Sequence, residues 1–140
     1  SPLGPLVSKA MTRKRFENGF CEVFGPDTRP SQAELDDFWT MMNTNGSIRR
    51  IGHKLIGYIA ERRANRARWV GALEKSPVPM RVIDGALDPV SGAHMVAHYQ
   101  SLVPGADTVL LPNAGHYPQL EAPGEVLDAF LDFQSRIMTA

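Results

Sequence analysis

The sequence is poor in the features that mark several classes of protein. It contains a single cysteine, Cys21, which allows no internal disulfide and has no partner at metal-binding spacing. Its 15 basic and 15 acidic residues cancel, so the charge gives no reason to expect nucleic acid as a partner. No apolar run approaches the length of a membrane span, and the N-terminus lacks the layout of a signal peptide. We therefore expect a cytoplasmic protein with no membrane span.

The composition itself is that of a globular domain. Hydrophobic residues make up 43% of the 140 residues and charged residues 21%, which is enough apolar material to form one core. The chain does not begin with methionine. We therefore expect that it is cut from a longer protein.

The first part of the sequence, up to about residue 68, carries helical patterns and no convincing strand. Ser31 followed by Glu34 forms a capping box, which predicts the start of a helix. Apolar residues at helical spacing follow, and Asn45-Gly46 predicts the end of that helix and the start of the next. This region is therefore predicted to be helical.

The second part alternates between strand and helix patterns. Short apolar runs at 80–83 and 108–111 predict buried strands, while 92–102 and the segment from 123 onward predict helices. This order predicts an α/β fold with parallel strand pairing. Two parallel strands alone leave an edge exposed, so we expect further strands beside them.

Asp88 and His116 are the candidate catalytic residues, because each follows one of the predicted strands. Reactive groups in open α/β sheets gather beyond the carboxyl ends of the strands. A carboxylate bonded to one ring nitrogen fixes the tautomer of a proton-shuttling histidine, so this pair is two thirds of a hydrolytic triad. Gly85 and Gly115 predict tight turns before the two residues. Taken singly, Asp88 could be a turn residue and His116 a surface residue; Asp84, predicted to lie on the strand, is a weaker rival for the acid.

Longer segments around these residues are similar to a known family. The sequences GALDP at 85–89 and GHYPQLEAP at 115–123 resemble the acid and histidine motifs of the α/β-hydrolase superfamily, closest to its epoxide hydrolase and haloalkane dehalogenase branch. Within that branch, VFGPDTRPS at 23–31 and RARWVGAL at 66–73 resemble the mesoderm-specific transcript homologues. The resemblance covers nearly the whole chain.

The resemblance implies the C-terminal part of an α/β-hydrolase. Residues 1–63 would be a helical cap (lid) segment, and residues 64–140 the C-terminal part of the core, with the last two parallel strands and flanking helices. In this family the order is nucleophile, acid, histidine; Asp88 matches the acid and His116 the histidine. Since no segment here matches the nucleophile motif, the resemblance implies an aspartate nucleophile on a missing N-terminal part. A serine nucleophile, as in an esterase or lipase, is the weaker alternative.

The implied activity is hydrolysis of a small apolar substrate, an epoxide, halide or ester, through a covalent ester intermediate. Trp39, Tyr58 and Tyr117 are candidate substrate-pocket residues, although the helical spacing of Trp39 favours a core position. His94 and His98 lie one helical turn apart without a third ligand, so neither a metal nor a cofactor is expected.

A non-enzymatic interpretation stays open beside this one. The chain could be a catalytically inactive fragment or a binding module that keeps the hydrolase scaffold without its chemistry. Even as part of an enzyme, this chain alone is predicted to be inactive, because the nucleophile would come from elsewhere. Its exposed sheet edge predicts self-association or binding to the N-terminal part of the same fold.

Overall fold

The computed structural model describes residues 11–139, with residues 48 and 49 described by their backbone only. The described residues form two compact units. One contains residues 11–20 and 31–72, and the other contains residues 21–30 and 73–139. These units are defined by compactness, and the cap role predicted for residues 1–63 stays a prediction.

The regular elements of residues 11–72 are helical, as the sequence predicts. They are α1 (Arg13–Cys21), α2 (Gln32–Asn43), a short 3₁₀ turn (Thr44–Gly46), α3 (Ser47–Leu55), α4 (Tyr58–Ala64) and α5 (Arg66–Glu74). Stacked and tilted aromatic rings pack α1 against α2. Within residues 11–139, no helix is both long and apolar enough to cross a bilayer.

The ends of α2 follow from local chemistry. The Ser31 side chain accepts the backbone N–H of Glu34, and the Glu34 carboxylate accepts the backbone N–H of Ser31. This reciprocal bonding confirms the predicted capping box. The helix is followed by Asn45 and Gly46, both in the left-handed region at φ 54° and 65°, which turns the chain into α3 as expected.

The second unit contains strand, helix, strand and two helices in that order. Its elements are β1 (Arg81–Gly85), α6 (Ala93–Leu102), β2 (Asp107–Leu111), α7 (Pro118–Glu121) and α8 (Pro123–Met138). The two strands pair in parallel, with Arg81 opposite Asp107 and Gly85 opposite Leu111. Helix α6 contacts both strands, and α7 and α8 contact β1. The predicted α/β order with parallel pairing is confirmed.

One expectation about the strands is wrong. The sequence predicts buried strands, but only Gly85 and Leu111 at the carboxyl ends are buried, and Leu110 is 40% exposed. The reason is that the sheet has two strands in the part of the chain that the structure describes, so the outer edge of each strand has no strand beside it.

A buried arginine joins three elements of the second unit. The side chain of Arg81 is 3% exposed and lies 2.8 Å from the carboxylate of Asp107 and 2.7 Å from that of Asp132. It also donates to the carbonyl oxygen of Ala129 and lies over the ring of Phe133. The guanidinium therefore ties β1 to β2 and to α8 at the end of the sheet opposite the carboxyl ends of the strands.

Candidate active site

Backbone hydrogen bonds hold together the loops that follow β1 and β2. Beyond β1, Ala86 N–H donates to the carbonyl of Leu111 and Leu87 N–H donates to the carbonyl of Ala114, both at 2.9 Å. The loop that carries Asp88 is therefore bonded directly to the loop that carries His116. This is the juxtaposition that parallel pairing of the two strands predicts.

The Asp88 carboxylate is enclosed by hydrogen-bond donors. Its side chain is 1% exposed. Oδ1 accepts the backbone N–H of Val90 at 2.7 Å, and Oδ2 accepts the backbone N–H and the hydroxyl of Ser91 at 2.9 and 2.7 Å. Oδ2 also lies 2.7 Å from Nδ1 of His116.

Asp88 is an ionised group at neutral pH. Burial on its own would raise the pKa of Asp88, but hydrogen bonds from His116, Ser91 and Val90 outweigh that effect and lower the pKa. A carboxylate accepts hydrogen bonds only, so Nδ1 of His116 must carry the proton in this pair. The tautomer required of a histidine base is thus fixed by Asp88.

The other ring nitrogen of His116, Nε2, is the one available for proton transfer. Its backbone N–H donates to the carbonyl of Val23 at 2.8 Å, and its side chain is 33% exposed. Among residues 11–139, no group forms a hydrogen bond with Nε2. A neutral imidazole with Nδ1 protonated carries its lone pair on Nε2, so this nitrogen can accept a proton from water.

Asp84, the rival acid, does not pair with His116. It lies on β1 as expected, and its Oδ1 accepts the backbone N–H of Gly85 at 2.9 Å. Its Oδ2 is buried without a partner among the described residues. Burial is the main reason that the pKa of Asp84 is raised, with the nearby charge of Asp88 adding to it.

Glu121 is a residue of this region to which the sequence assigned no role. Its Oε2 accepts the N–H groups of Gly25 and Gly115 at 2.8 and 2.7 Å and the hydroxyl of Thr28 at 2.6 Å. Its Oε1 accepts the N–H of Tyr117 at 2.9 Å. Burial alone would raise the pKa of Glu121, but these hydrogen bonds lower it.

The two glycines beside the pair allow close packing of neighbouring backbone segments. Neither Gly85 nor Gly115 has a positive φ. A Cβ on Gly85 would overlap the backbone carbonyls of Ala114 and Gly115, and one on Gly115 would overlap the carbonyl of Val23. The turn predicted before Asp88 is present, since the backbone N–H of Asp88 donates to the carbonyl of Gly85 at 3.3 Å. Glycine is required at both positions because the backbones approach too closely for any side chain, and not because of a positive φ.

The three candidate pocket residues lie in different surroundings. Tyr117 meets the His116 ring edge-on at 4.9 Å between centroids and packs against Phe24 at 5.2 Å. Burial, with a contribution from Asp88, raises the pKa of its hydroxyl. Trp39 and Tyr58 belong to the other unit, where Trp39 packs against Phe16 and Tyr58 is 52% exposed.

Other features of the described residues do not contribute to this pair. A cavity of about 510 Å³ is lined by residues around the first residues of both strands, including Met80 and Asp107, and neither Asp88 nor His116 lines it. No group of three or more potential metal ligands occurs within residues 11–139. The exposed residues His94 and His98 on α6 have no third ligand there.

Comparison with known proteins identifies the family. A profile of the alpha/beta hydrolase family matches residues 2–129. The chain belongs to this family. Membership accounts for the strand–helix order of the second unit.

Two curated relatives show comparable similarity. LipZ of Mycobacterium tuberculosis, which is named only provisionally as a hydrolase, is 37% identical over 131 residues. The human mesoderm-specific transcript homolog protein is 37% identical over 134 residues, which agrees with the resemblance seen in the sequence. Each match covers 94% of this chain, but only 45% of the LipZ protein and 39% of the human protein. The chain therefore spans less than half the length of these relatives.

Solved structures show the same fold. A serine hydrolase involved in carbazole degradation, the CarC enzyme, has a TM-score of 0.66 at 19% identity, covering 89% of this chain and 47% of that one. A bacterial membrane phospholipase A has a TM-score of 0.66 at 21% identity, covering 97% of this chain and 41% of that one. The described units are thus part of an α/β-hydrolase fold.

Proposed function

We propose that the protein to which this chain belongs hydrolyses small apolar substrates through a covalent ester intermediate. His116 would accept and donate the proton, Asp88 would orient and stabilise the histidine, and the nucleophile would come from an N-terminal part of the same fold. The observation that carries the proposal is the 2.7 Å contact between Asp88 Oδ2 and His116 Nδ1, beside an Nε2 with no partner among residues 11–139. Fold alone would not support it, because the same scaffold hosts many functions.

In the proposed hydrolytic step, His116 acts as a general base toward water. Nε2 accepts one proton as the water oxygen adds to the carbonyl carbon of the covalent ester. The bond between that carbon and the leaving oxygen then breaks, and the proton on Nε2 passes to the leaving oxygen. Asp88 stays ionised throughout and stabilises the positive charge on the imidazolium.

The nucleophile distinguishes two versions of this chemistry. An aspartate would open an epoxide or displace a halide to form an alkyl ester, which His116 then hydrolyses. A serine would need His116 to remove its proton before any ester forms. The resemblance to the epoxide hydrolase and haloalkane dehalogenase branch favours aspartate, and we adopt it.

The proposal includes three substrate-pocket residues, and the structural support for them differs. Tyr117 contacts the His116 ring, so we place it at the wall of the substrate pocket. Tyr58 stays a candidate pocket residue only through the cap role that the family resemblance implies for residues 1–63. Trp39 is kept in the pocket with weaker support, since its contact with Phe16 also suits a core residue.

A trapping experiment tests the proposal. The longer protein is prepared with His116→Ala and incubated with an epoxide, a haloalkane and an ester in turn, and its intact mass is measured. We expect an adduct with the mass of the whole epoxide, or of the haloalkane without its halide, to accumulate on a residue outside this chain, since the ester forms but is not hydrolysed. His98→Ala, at an exposed position of α6, is the matched control and should accumulate nothing.

The other outcomes separate the alternatives. If the His116→Ala protein loses turnover without forming an adduct, the nucleophile is a serine rather than an aspartate. Absence of both adduct and turnover in the unaltered protein, with every substrate class, would favour the non-enzymatic scaffold. Unchanged turnover in the His116→Ala protein would overturn the role of His116 itself.

A further inference from the structure

We propose that Glu121 is a positioning residue: its carboxylate holds the backbone on both sides of His116 and thereby fixes the ring against Asp88. The catalytic meaning of this role rests on the function proposed above. The geometric part concerns only groups of the second unit and can be tested without turnover.

The hydrogen bonds of Glu121 flank the histidine directly. Oε2 accepts the N–H of Gly115 at 2.7 Å, and Oε1 accepts the N–H of Tyr117 at 2.9 Å. The N–H between them, that of His116, donates to Val23 at 2.8 Å. Three consecutive backbone N–H groups are therefore fixed, and two of them are fixed by one side chain.

The same carboxylate fixes this loop to a distant part of the chain. Its Oε2 also accepts the N–H of Gly25 at 2.8 Å and the hydroxyl of Thr28 at 2.6 Å. Because Val23, Gly25 and Thr28 come from one segment, Glu121 and the Val23 carbonyl attach the histidine loop to it at several points. The ring packing of Tyr117 on Phe24 adds an apolar contact between the same segments.

The four donors around Glu121 require two acceptor oxygens at this position. Four donors surround the two carboxylate oxygens, and a carboxylate can accept from all of them. A glutamine of the same length has one acceptor oxygen, and its NH₂ group would face at least one N–H donor. Glu121→Gln is therefore the most informative variant, because it keeps the size of the side chain and removes one of its two acceptor oxygens.

The bonds to Thr28 and Gly115 allow two roles to be separated. If Glu121 acts mainly through its hydrogen bond to the Thr28 hydroxyl, Thr28→Ala should resemble Glu121→Gln. If it positions His116, Thr28→Ala should leave the histidine nearly unaffected, since the bonds to Gly115 and Tyr117 remain. Glu125→Gln, at an exposed position of α8, controls for the loss of a negative charge.

The 140-residue chain and its variants are compared by NMR spectroscopy. The ¹⁵N shifts of the His116 ring report its tautomer, and amide exchange reports the backbone at Gly115 and Tyr117. In Glu121→Gln we expect more of the Nε2–H tautomer and exchange at these two amides about tenfold faster or more. In Thr28→Ala and Glu125→Gln we expect the unaltered tautomer and exchange rates within about threefold.

Unchanged ring shifts and unchanged exchange in Glu121→Gln would overturn the proposal, as would equal effects of Thr28→Ala. If Glu121→Gln does not fold, Glu121→Asp takes its place, because it keeps the charge but is one methylene too short to bridge both amides. A folded Glu121→Asp with wild-type ring shifts and exchange would also overturn the proposal, and faster exchange would support it. Absence of hydrolysis by the longer protein would count against the proposed function and leave these readouts unaffected.

Discussion

Replacement of Asp88 by asparagine should lower the free energy of unfolding of the second unit. Donors face both oxygens of the carboxylate: Val90 N–H on Oδ1, and Ser91 N–H, the Ser91 hydroxyl and His116 Nδ1 on Oδ2. An asparagine in either orientation turns its NH₂ group toward one of these sets. At least one buried donor then loses its acceptor.

The magnitude follows from burial and charge. A buried donor left without a partner costs about 1–3 kcal/mol of unfolding free energy. The side chain of Asp88 is 1% exposed, so water cannot replace the missing acceptor, and the remaining bonds also lose their charge assistance. We expect the upper end of this range, about 3 kcal/mol.

The assay is urea denaturation of Asp88→Asn beside Asp128→Asn, an exposed position on α8. The pH dependence gives an independent check, because the pKa of Asp88 is lowered in the folded chain. Its contribution is complete above the pKa of an unfolded aspartate, about 3.9, and is lost as the pH falls through the lower folded value. The difference between the two variants should therefore shrink at acid pH. A loss within about 0.5 kcal/mol of that of the control at neutral pH would refute the reasoning.

Three further predictions concern the close packing, the ion pairs and the exposed surface of the chain. Gly115→Ala should lower the free energy of unfolding by about 1–3 kcal/mol, because its Cβ would overlap neighbouring backbone. Gly124→Ala, with open space around it, should be neutral or slightly stabilising. Equal effects of the two substitutions would contradict the close-packing explanation. Arg81→Met should lower the unfolding midpoint more than Arg136→Met, since the Arg81 side chain is 3% exposed and that of Arg136 is 65% exposed. The reverse order would show that the ion pairs of Arg81 do not stabilise the sheet. The isolated chain should self-associate in sedimentation, and Leu127→Lys on the exposed face of α8 should reduce the association; a monodisperse monomer before substitution would contradict the prediction.

The parts of the fold and site that the sequence predicted depend on local patterns. Neighbouring residues determine the capping box of Ser31 and Glu34 and the strand–helix alternation, so the sequence predicts both. The meeting of Asp88 and His116 followed from one further rule, that parallel strands bring their carboxyl ends to the same edge.

What could not be predicted depends on contacts between distant residues. Glu121 bonds Gly25 and Thr28 across 96 and 93 positions, and no local pattern marks such a bond. The close approach that requires Gly115 has the same origin, since the clashing carbonyl belongs to Val23. The hydrogen bonds that Asp88 accepts from Val90 and Ser91, in contrast, are local. An aspartate side chain that accepts the N–H groups two and three positions later forms a common type of turn, which the sequence can indicate.

The most direct test of the central claim, that His116 paired with Asp88 is the general base of a hydrolase, is steady-state turnover of the longer protein with His116→Ala. His98→Ala, exposed on α6, is measured beside it. We predict that kcat falls by a factor of about 10²–10⁴ for His116→Ala, which is the usual contribution of general acid–base catalysis, and stays unchanged for His98→Ala. Equal turnover by the two variants would contradict the claim.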